Sequence, residues 1–98
     1  MGEAAGKNLK MQKSILIIGA STGIGRSLAF EFSRRGYALG LCARRLELLE
    51  SLRDELGGGT KVAIAKLDVA EFESVPEVLH KLADELGGVQ VVIANAGV

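Results

Sequence analysis

Three glycines, Gly19, Gly23 and Gly25, carry the clearest chemistry in this chain because of what stands on either side of them. Their spacing is Gly-x-x-x-Gly-x-Gly. An apolar run from Ile15 to Ile18 leads into the first glycine, and helix-forming residues begin at Arg26. A short run rich in β-branched residues predicts a strand buried on both faces. Strand, glycine turn and helix start together make the phosphate-binding unit of a nucleotide-binding α/β fold. The first N–H groups of a helix lack intrahelical partners, and the helix dipole places partial positive charge beside them. A pyrophosphate can accept those N–H groups where no side chain bars its approach, which explains glycine at the contact positions. A tight turn that binds no ligand is the competing reading.

The elements that must position this turn follow from hydrophobic spacing. Ile24, Leu28 and Phe32, with Ala29 beside them, predict a helix over 24–35 that buries one face. Arg34 and Arg35 suit its last turn, and Gly36 is placed to end it. Tyr37 to Ala43 predicts a second strand, kept slim by Gly40 and Cys42. Leu46, Leu49, Leu52 and Leu56 recur at helical spacing over 45–56, and Gly57, Gly58 and Gly59 stop that helix. Val62 to Leu67 predicts a third strand, followed by Asp68. Ser74 with Glu77 three residues later forms a capping box with Pro76 inside the first turn, although a start nearer Glu71 also fits. Val78 or Leu79, then Leu82, Ala83 and Leu86, make the buried stripe of that helix. Gln90 to Ile93 predicts a fourth strand that leads into Asn95-Ala96-Gly97.

The resulting order, β-α-β-α-β-α-β, predicts an α/β chain with a parallel sheet and right-handed crossovers. In a doubly wound, three-layer arrangement the strands lie 3-2-1-4, with the reversal between the first and the fourth. That switch point brings the glycine turn and the Asn95 turn together at the carboxyl ends of their strands, where a nucleotide site is expected.

Composition narrows the function further. The chain has 98 residues, enough for one domain at most, and 48% of them are hydrophobic. Twelve basic and twelve acidic residues cancel, which removes the electrostatic case for nucleic acid or a membrane surface. A single cysteine, Cys42, has no partner for an internal disulfide and suits a reducing compartment, so a soluble, cytoplasmic protein is expected. Residues 1–13 carry Lys7, Lys10 and Lys13 without an apolar stretch, and predict a flexible start rather than a secretory signal.

Dinucleotide-binding folds place a carboxylate about 20 residues past the glycines to bond the ribose 2′-OH. Here that neighbourhood reads Ala43-Arg44-Arg45, with no carboxylate. A guanidinium in that place meets a 2′-phosphate with charge-assisted, bidentate bonds, so NADP is preferred over NAD. The alternative, that Arg44 and Arg45 merely solvate a helix start, runs against the dipole.

At this point the chain resembles the short-chain dehydrogenase/reductase family in its single-domain branch. Gly19-Ala-Ser-Thr-Gly23-Ile-Gly25, Asp68-Val69 after the third strand and Asn95-Ala96-Gly97 after the fourth match in register, and the resemblance spans 14–98. It implies the N-terminal part of a Rossmann dinucleotide-binding domain over those residues. By that resemblance Gly19, Ser21, Thr22, Gly23, Ile24 and Gly25 would form the cofactor turn. Arg44, with Arg45 beside it, would hold the 2′-phosphate, and Asp68 and Val69 would flank the adenine. Asn95 would brace the central strands near the nicotinamide-side ribose, with Ala96 and Gly97 on the floor. Asp68 also reads as a polar strand end bonding nearby N–H groups, and Asn95 as a turn residue. Two departures stand out: Ile18 replaces a common Thr before the first glycine, so a hydroxyl tie between the two central turns is missing, and Ala94 replaces the first of two Asn.

The family transfers hydride between a nicotinamide and a carbonyl or alcohol, with a Tyr as acid/base, a Lys four residues later and a Ser on the substrate oxygen. The one tyrosine here, Tyr37, is followed by Ala38, Leu39, Gly40 and Leu41. No residue therefore stands as catalytic, and His80 is a lone histidine on an exposed helix face. No metal site is expected. The expectation is an NADP-binding portion of a short-chain oxidoreductase, acting on a small carbonyl or alcohol only if the chain continues past Val98. A non-catalytic nucleotide-binding module or truncated product is the alternative, and a fold without a ligand is the third reading. The helices that pair subunits in this family would also lie beyond Val98, which leaves a homo-oligomer open. The fourth strand would be an exposed edge.

Overall fold

The computed structural model describes residues 13–68 and 70–95. The expectations for residues 1–12 and for Val69, Ala96 and Gly97 lie outside the described residues. In chain order the elements are β1 (Ser14–Ile18), α1 (Gly23–Arg34), β2 (Ala38–Ala43), α2 (Leu46–Leu56), β3 (Val62–Lys66), a 3-10 turn (Phe72–Ser74), α3 (Val75–Leu86) and β4 (Val91–Ala94). The strands form one parallel sheet in the order β3-β2-β1-β4, as the doubly wound reading requires. The register sets Ile18 beside Cys42 and Ala94, and Ala43 beside Lys66, so all four strands end at one edge of the sheet.

Every residue of β1 and β2 is buried, which is why both read as uninterrupted apolar runs. Alternate side chains serve opposite faces. Ile15, Ile17, Leu39 and Leu41 pack under Ala29 of α1 and Leu49 and Leu52 of α2. Leu16, Ile18, Ala38 and Cys42 pack under Leu82 and Leu86 of α3. The result is three layers, helix, sheet and helix. Each fully buried Leu or Ile contributes about 2 kcal/mol by removal from water. Gly40 keeps β2 slim as its sequence position suggests: a Cβ there would run into Leu16 Cδ2 and stand 3.2 Å from Leu86 Cδ1.

The outer strands are less protected. Among the described residues β4 pairs with β1 alone, and Val91 and Val92 are 40% and 53% exposed.

Three local expectations change. Ser74 does not cap α3 with its side chain: its backbone is already helical at φ −91° and ψ −6°, and its hydroxyl donates to Glu71 O at 2.9 Å. The 3-10 turn before it has taken over the entry, closer to the alternative start near Glu71. Gln90 precedes β4 rather than opening it. Its Oε1 accepts from Ser14 N at 2.8 Å, and its own N–H donates to Ser14 O at 3.1 Å, clamping the beginning of β1. Leu46 is 36% exposed at the first position of α2, where the helix has only begun to turn toward the sheet.

Candidate functional site

Past Ile18 the chain turns sharply, and three strand ends are tied around that turn. The N–H groups of Gly19 and Ala20 both donate to Cys42 O, at 2.8 and 3.0 Å, fixing the turn to the end of β2. Asn95 N donates to Ile18 O at 2.8 Å, and Asn95 Nδ2 donates to Gly19 O at 3.4 Å. The side-chain amide thus links the two central turns, where Ile18 has no hydroxyl to offer. Leu67 N donates to Ala43 O at 2.8 Å and carries the same edge on to β3.

Gly19 and Gly23 take positive φ, +82° and +61°, a region that side chains disfavour. Gly25 has a different duty. It is buried in the first turn of α1, where a Cβ would overlap Gly19 O and stand 3.0 Å from both Ala20 Cα and Asn95 Nδ2. Its missing side chain lets α1 start directly against the turn.

Thr22 is the N-cap of α1, extended at φ −144° and ψ 164°, and its side chain makes no capping bond. The first turn of α1 contains no acidic residue. Its leading N–H groups have no intrahelical partner and stand at the positive end of the helix dipole. Ile24 extends beside them and is 69% exposed, an apolar side chain left uncovered at the rim.

A cavity of about 690 Å³ opens at this edge of the sheet. Of the residues singled out in the sequence, Gly19, Ser21, Thr22, Gly23, Ile24, Arg44, Arg45, Asp68 and Asn95 line it. Gly25 does not: it sits beneath the turn. Val69, Ala96 and Gly97 fall outside the described residues. Sequence reasoning passed over Ile18, Ala43, Leu48, Leu67 and Ala70, which supply the remaining walls. Ile18 and Ala43 are the last residues of their strands and Leu67 follows β3, so closeness to a carboxyl end was the available signal.

Charge in the cavity is set at the start of α2. Arg44 is exposed and makes no ion pair among the described residues. Arg45, the N-cap of α2, donates from Nε to Glu47 Oε2 at 2.8 Å. Asp68 is half-buried, and its Oδ1 accepts from Ala70 N at 2.9 Å while its carbonyl accepts from Glu71 N at 2.8 Å. That is the backbone-bonding role weighed for it from the sequence, carried out by a residue that also faces the cavity.

Chemically active groups elsewhere are engaged or remote. Cys42 is fully buried, and burial pushes its thiol up to about 12, so it is a packing residue without a reactive thiolate. Tyr37 lies just before β2, at the end of the sheet opposite the cavity, with its ring edge-on to Phe32 at 4.9 Å. His80 is exposed on α3. Among the described residues no group of three His, Cys, Asp or Glu stands close enough to hold a metal ion. No helix among them is long and apolar enough to cross a membrane.

Comparison with known proteins agrees with this fold. A solved alcohol dehydrogenase from Thermococcus sibiricus, complexed with 5-hydroxy-NADP, matches with a TM-score of 0.78 and 42% identity over 83% of this chain and 35% of that one. L-sorbose reductase from Gluconobacter frateurii, complexed with NADPH and L-sorbose, matches with a TM-score of 0.81 and 31% identity over 89% of this chain and 34% of that one. In sequence, an uncharacterized oxidoreductase of Mycobacterium tuberculosis is 46% identical over 90 residues, 89% of this chain and 36% of the relative. The NADPH-dependent pterin aldehyde reductase of Arabidopsis thaliana is 34% identical over 93 residues, 95% of this chain and 38% of the relative. The chain thus spans little more than a third of the length of these relatives. The family model described as short chain dehydrogenase matches residues 13–98. With its glycine turn, strand order and sequence all in agreement, the chain belongs to the short-chain dehydrogenase family.

Proposed function

We propose that this chain forms the NADP(H)-binding part of a short-chain oxidoreductase. The observation that carries the proposal is Arg44: an exposed guanidinium, without an ion pair among the described residues, on the wall of the cavity that the glycine turn opens. It stands at the end of β2, where an NAD-binding chain would present a carboxylate to the ribose 2′-OH. Support comes also from relatives whose names specify NADPH or NADP, the pterin aldehyde reductase above and an NADP-dependent 3-hydroxy acid dehydrogenase of Schizosaccharomyces pombe.

The residues present suit a dinucleotide. The uncapped first turn of α1 offers N–H groups to a pyrophosphate, Gly23 leaves open space in front of them, and Ile24 provides apolar cover. Ser21 and Thr22 add hydroxyls to the rim. Asp68 and Val69 would border the adenine, against the apolar walls made by Leu48 and Leu67. Asn95, Ala96 and Gly97 would lie toward the nicotinamide side, with Asn95 holding the two central turns at a set distance. Once bound, the cofactor supplies a hydride for a carbonyl or accepts one from an alcohol. The residues of this chain bind and orient it; no Tyr here has a Lys four positions on, so the proton has to be handled by other groups.

The alternative is a nucleotide-binding module without chemistry. The intact mass of the protein as its source produces it separates the two: a mass well above 10.3 kDa, with Tyr-x-x-x-Lys in the added sequence, supports the oxidoreductase, and a mass of 10.3 kDa supports the module. The test of the cofactor itself is Arg44→Ala. Loss of a charge-assisted phosphate contact is expected to weaken NADPH about tenfold while NADH changes little. Equal losses for the two ligands would remove the 2′-phosphate assignment.

A further inference from the structure

The two arginines on the cavity wall are in different states. Arg44 has no ion pair among the described residues, whereas Arg45 has Nε engaged by Glu47 Oε2 at 2.8 Å. Glu47 lies in the first turn of α2 and does not itself line the cavity. Its own backbone N–H bonds its carboxylate, and this bond, followed by that from Arg45, holds the carboxyl below the usual range, with the charge of Lys66 acting in the same direction. Lys66 ends β3, opposite Ala43 at the end of β2. The carboxylate is thus anchored from outside the cavity and takes one edge of a guanidinium that belongs to the wall. Both partners are solvent-exposed, at 67% and 62%, which makes the pair weak enough to exchange for a better anion.

We propose that Glu47 is a positioning residue that restrains Arg45, divides the work of the two arginines, and limits how tightly the cavity takes a 2′-phosphorylated adenosine. The proposal rests on the NADP reading of the cavity. A phosphate bound at Arg44 competes with Glu47 for the second guanidinium and also meets the negative charge of the carboxylate. Both effects have the same sign, so removing that charge strengthens phosphate binding.

The test is calorimetric titration of the protein as its source produces it, at low salt, with adenosine 2′,5′-bisphosphate and with 5′-AMP. Glu47→Gln keeps the side chain's shape and an acceptor for Nε, and is expected to tighten the bisphosphate about threefold with 5′-AMP unchanged. Arg45→Ala should cost little in the native background and more beside Glu47→Gln. If Glu47→Gln weakens the bisphosphate or leaves it unchanged, while Arg44→Ala still loses it selectively, the role of Glu47 is overturned and the NADP reading stands. A change of equal size for both ligands, as from a residue that only supports the start of α2, overturns it too. If Arg44→Ala shows no selective loss, the NADP reading itself fails.

Discussion

Two glycine clusters lie at opposite ends of helices, and they behave as different materials. At the start of α1, Gly25 has backbone and an amide nitrogen where a Cβ would go, and the carbonyl of Gly19 is close enough to overlap it. At the end of α2, Gly57, Gly58 and Gly59 have nothing within 4 Å of the same built atom. The first cluster is glycine because three strand ends and a helix converge on it. The second is glycine because a helix has to stop. Only the first shapes a cavity: there a crowded glycine, Gly25, seats the helix against the turn, while Gly23 beside it stands open on the cavity wall.

The sharpest way to break this comparison is Gly25→Ala. A methyl group against Gly19 O forces the turn apart, and the expected loss is about 2–3 kcal/mol of stability together with nucleotide binding, read from urea melts and NADPH titration. Unchanged stability would mean that the turn yields freely. Asn95→Ala comes next. It removes the Nδ2 bond to Gly19 O while the backbone bond to Ile18 O survives, so about 1 kcal/mol is expected in the same melts. Gly58→Ala should be the mildest, within about 0.5 kcal/mol and on the stabilising side, because an alanine there only reduces the freedom of the unfolded chain.

Cys42 reports on the tight region from within. Its carbonyl anchors the glycine turn and its thiol is buried, so iodoacetamide at pH 8 is expected to label it only when the chain opens. Its folded pKa, about 12, is raised above the ordinary 9.0, so the thiol keeps its proton longer in the folded chain than in the unfolded one. This contribution to stability is complete below pH 9 and declines as pH climbs toward 12. Rapid labelling of the folded chain at pH 8 would show that the turn is loosely held.

Most of the fold was legible because burial on both faces leaves a simple trace: Ile15 to Ile18 and Ala38 to Ala43 are apolar without a break. The lining of the cavity was legible where it depends on backbone freedom or on charge, at Gly19, Gly23, Arg44 and Asp68. It was hidden where it depends on shape alone. Leu48 reads as one more leucine of α2, and nothing in its spacing shows that it faces the cavity while Leu46 faces solvent. Ser74 misled for a related reason. A serine three residues before a glutamate signals a cap only when its own backbone is extended, and a 3-10 turn ahead of it has already made it helical. The link from Asn95 to Gly19 O joins residues 76 apart in the chain, so no local pattern carries it. The strand order brought the two turns together, and the family resemblance gave Asn95 the bracing role.

The proposed function requires the tight end of the sheet to take a 2′-phosphorylated dinucleotide. Its most direct test is titration of NADPH and NADH, side by side, against the unaltered protein. Saturable binding of NADPH, about tenfold tighter than NADH, is the predicted result. A flat signal for both at millimolar ligand, or equal affinity for the two, would contradict it.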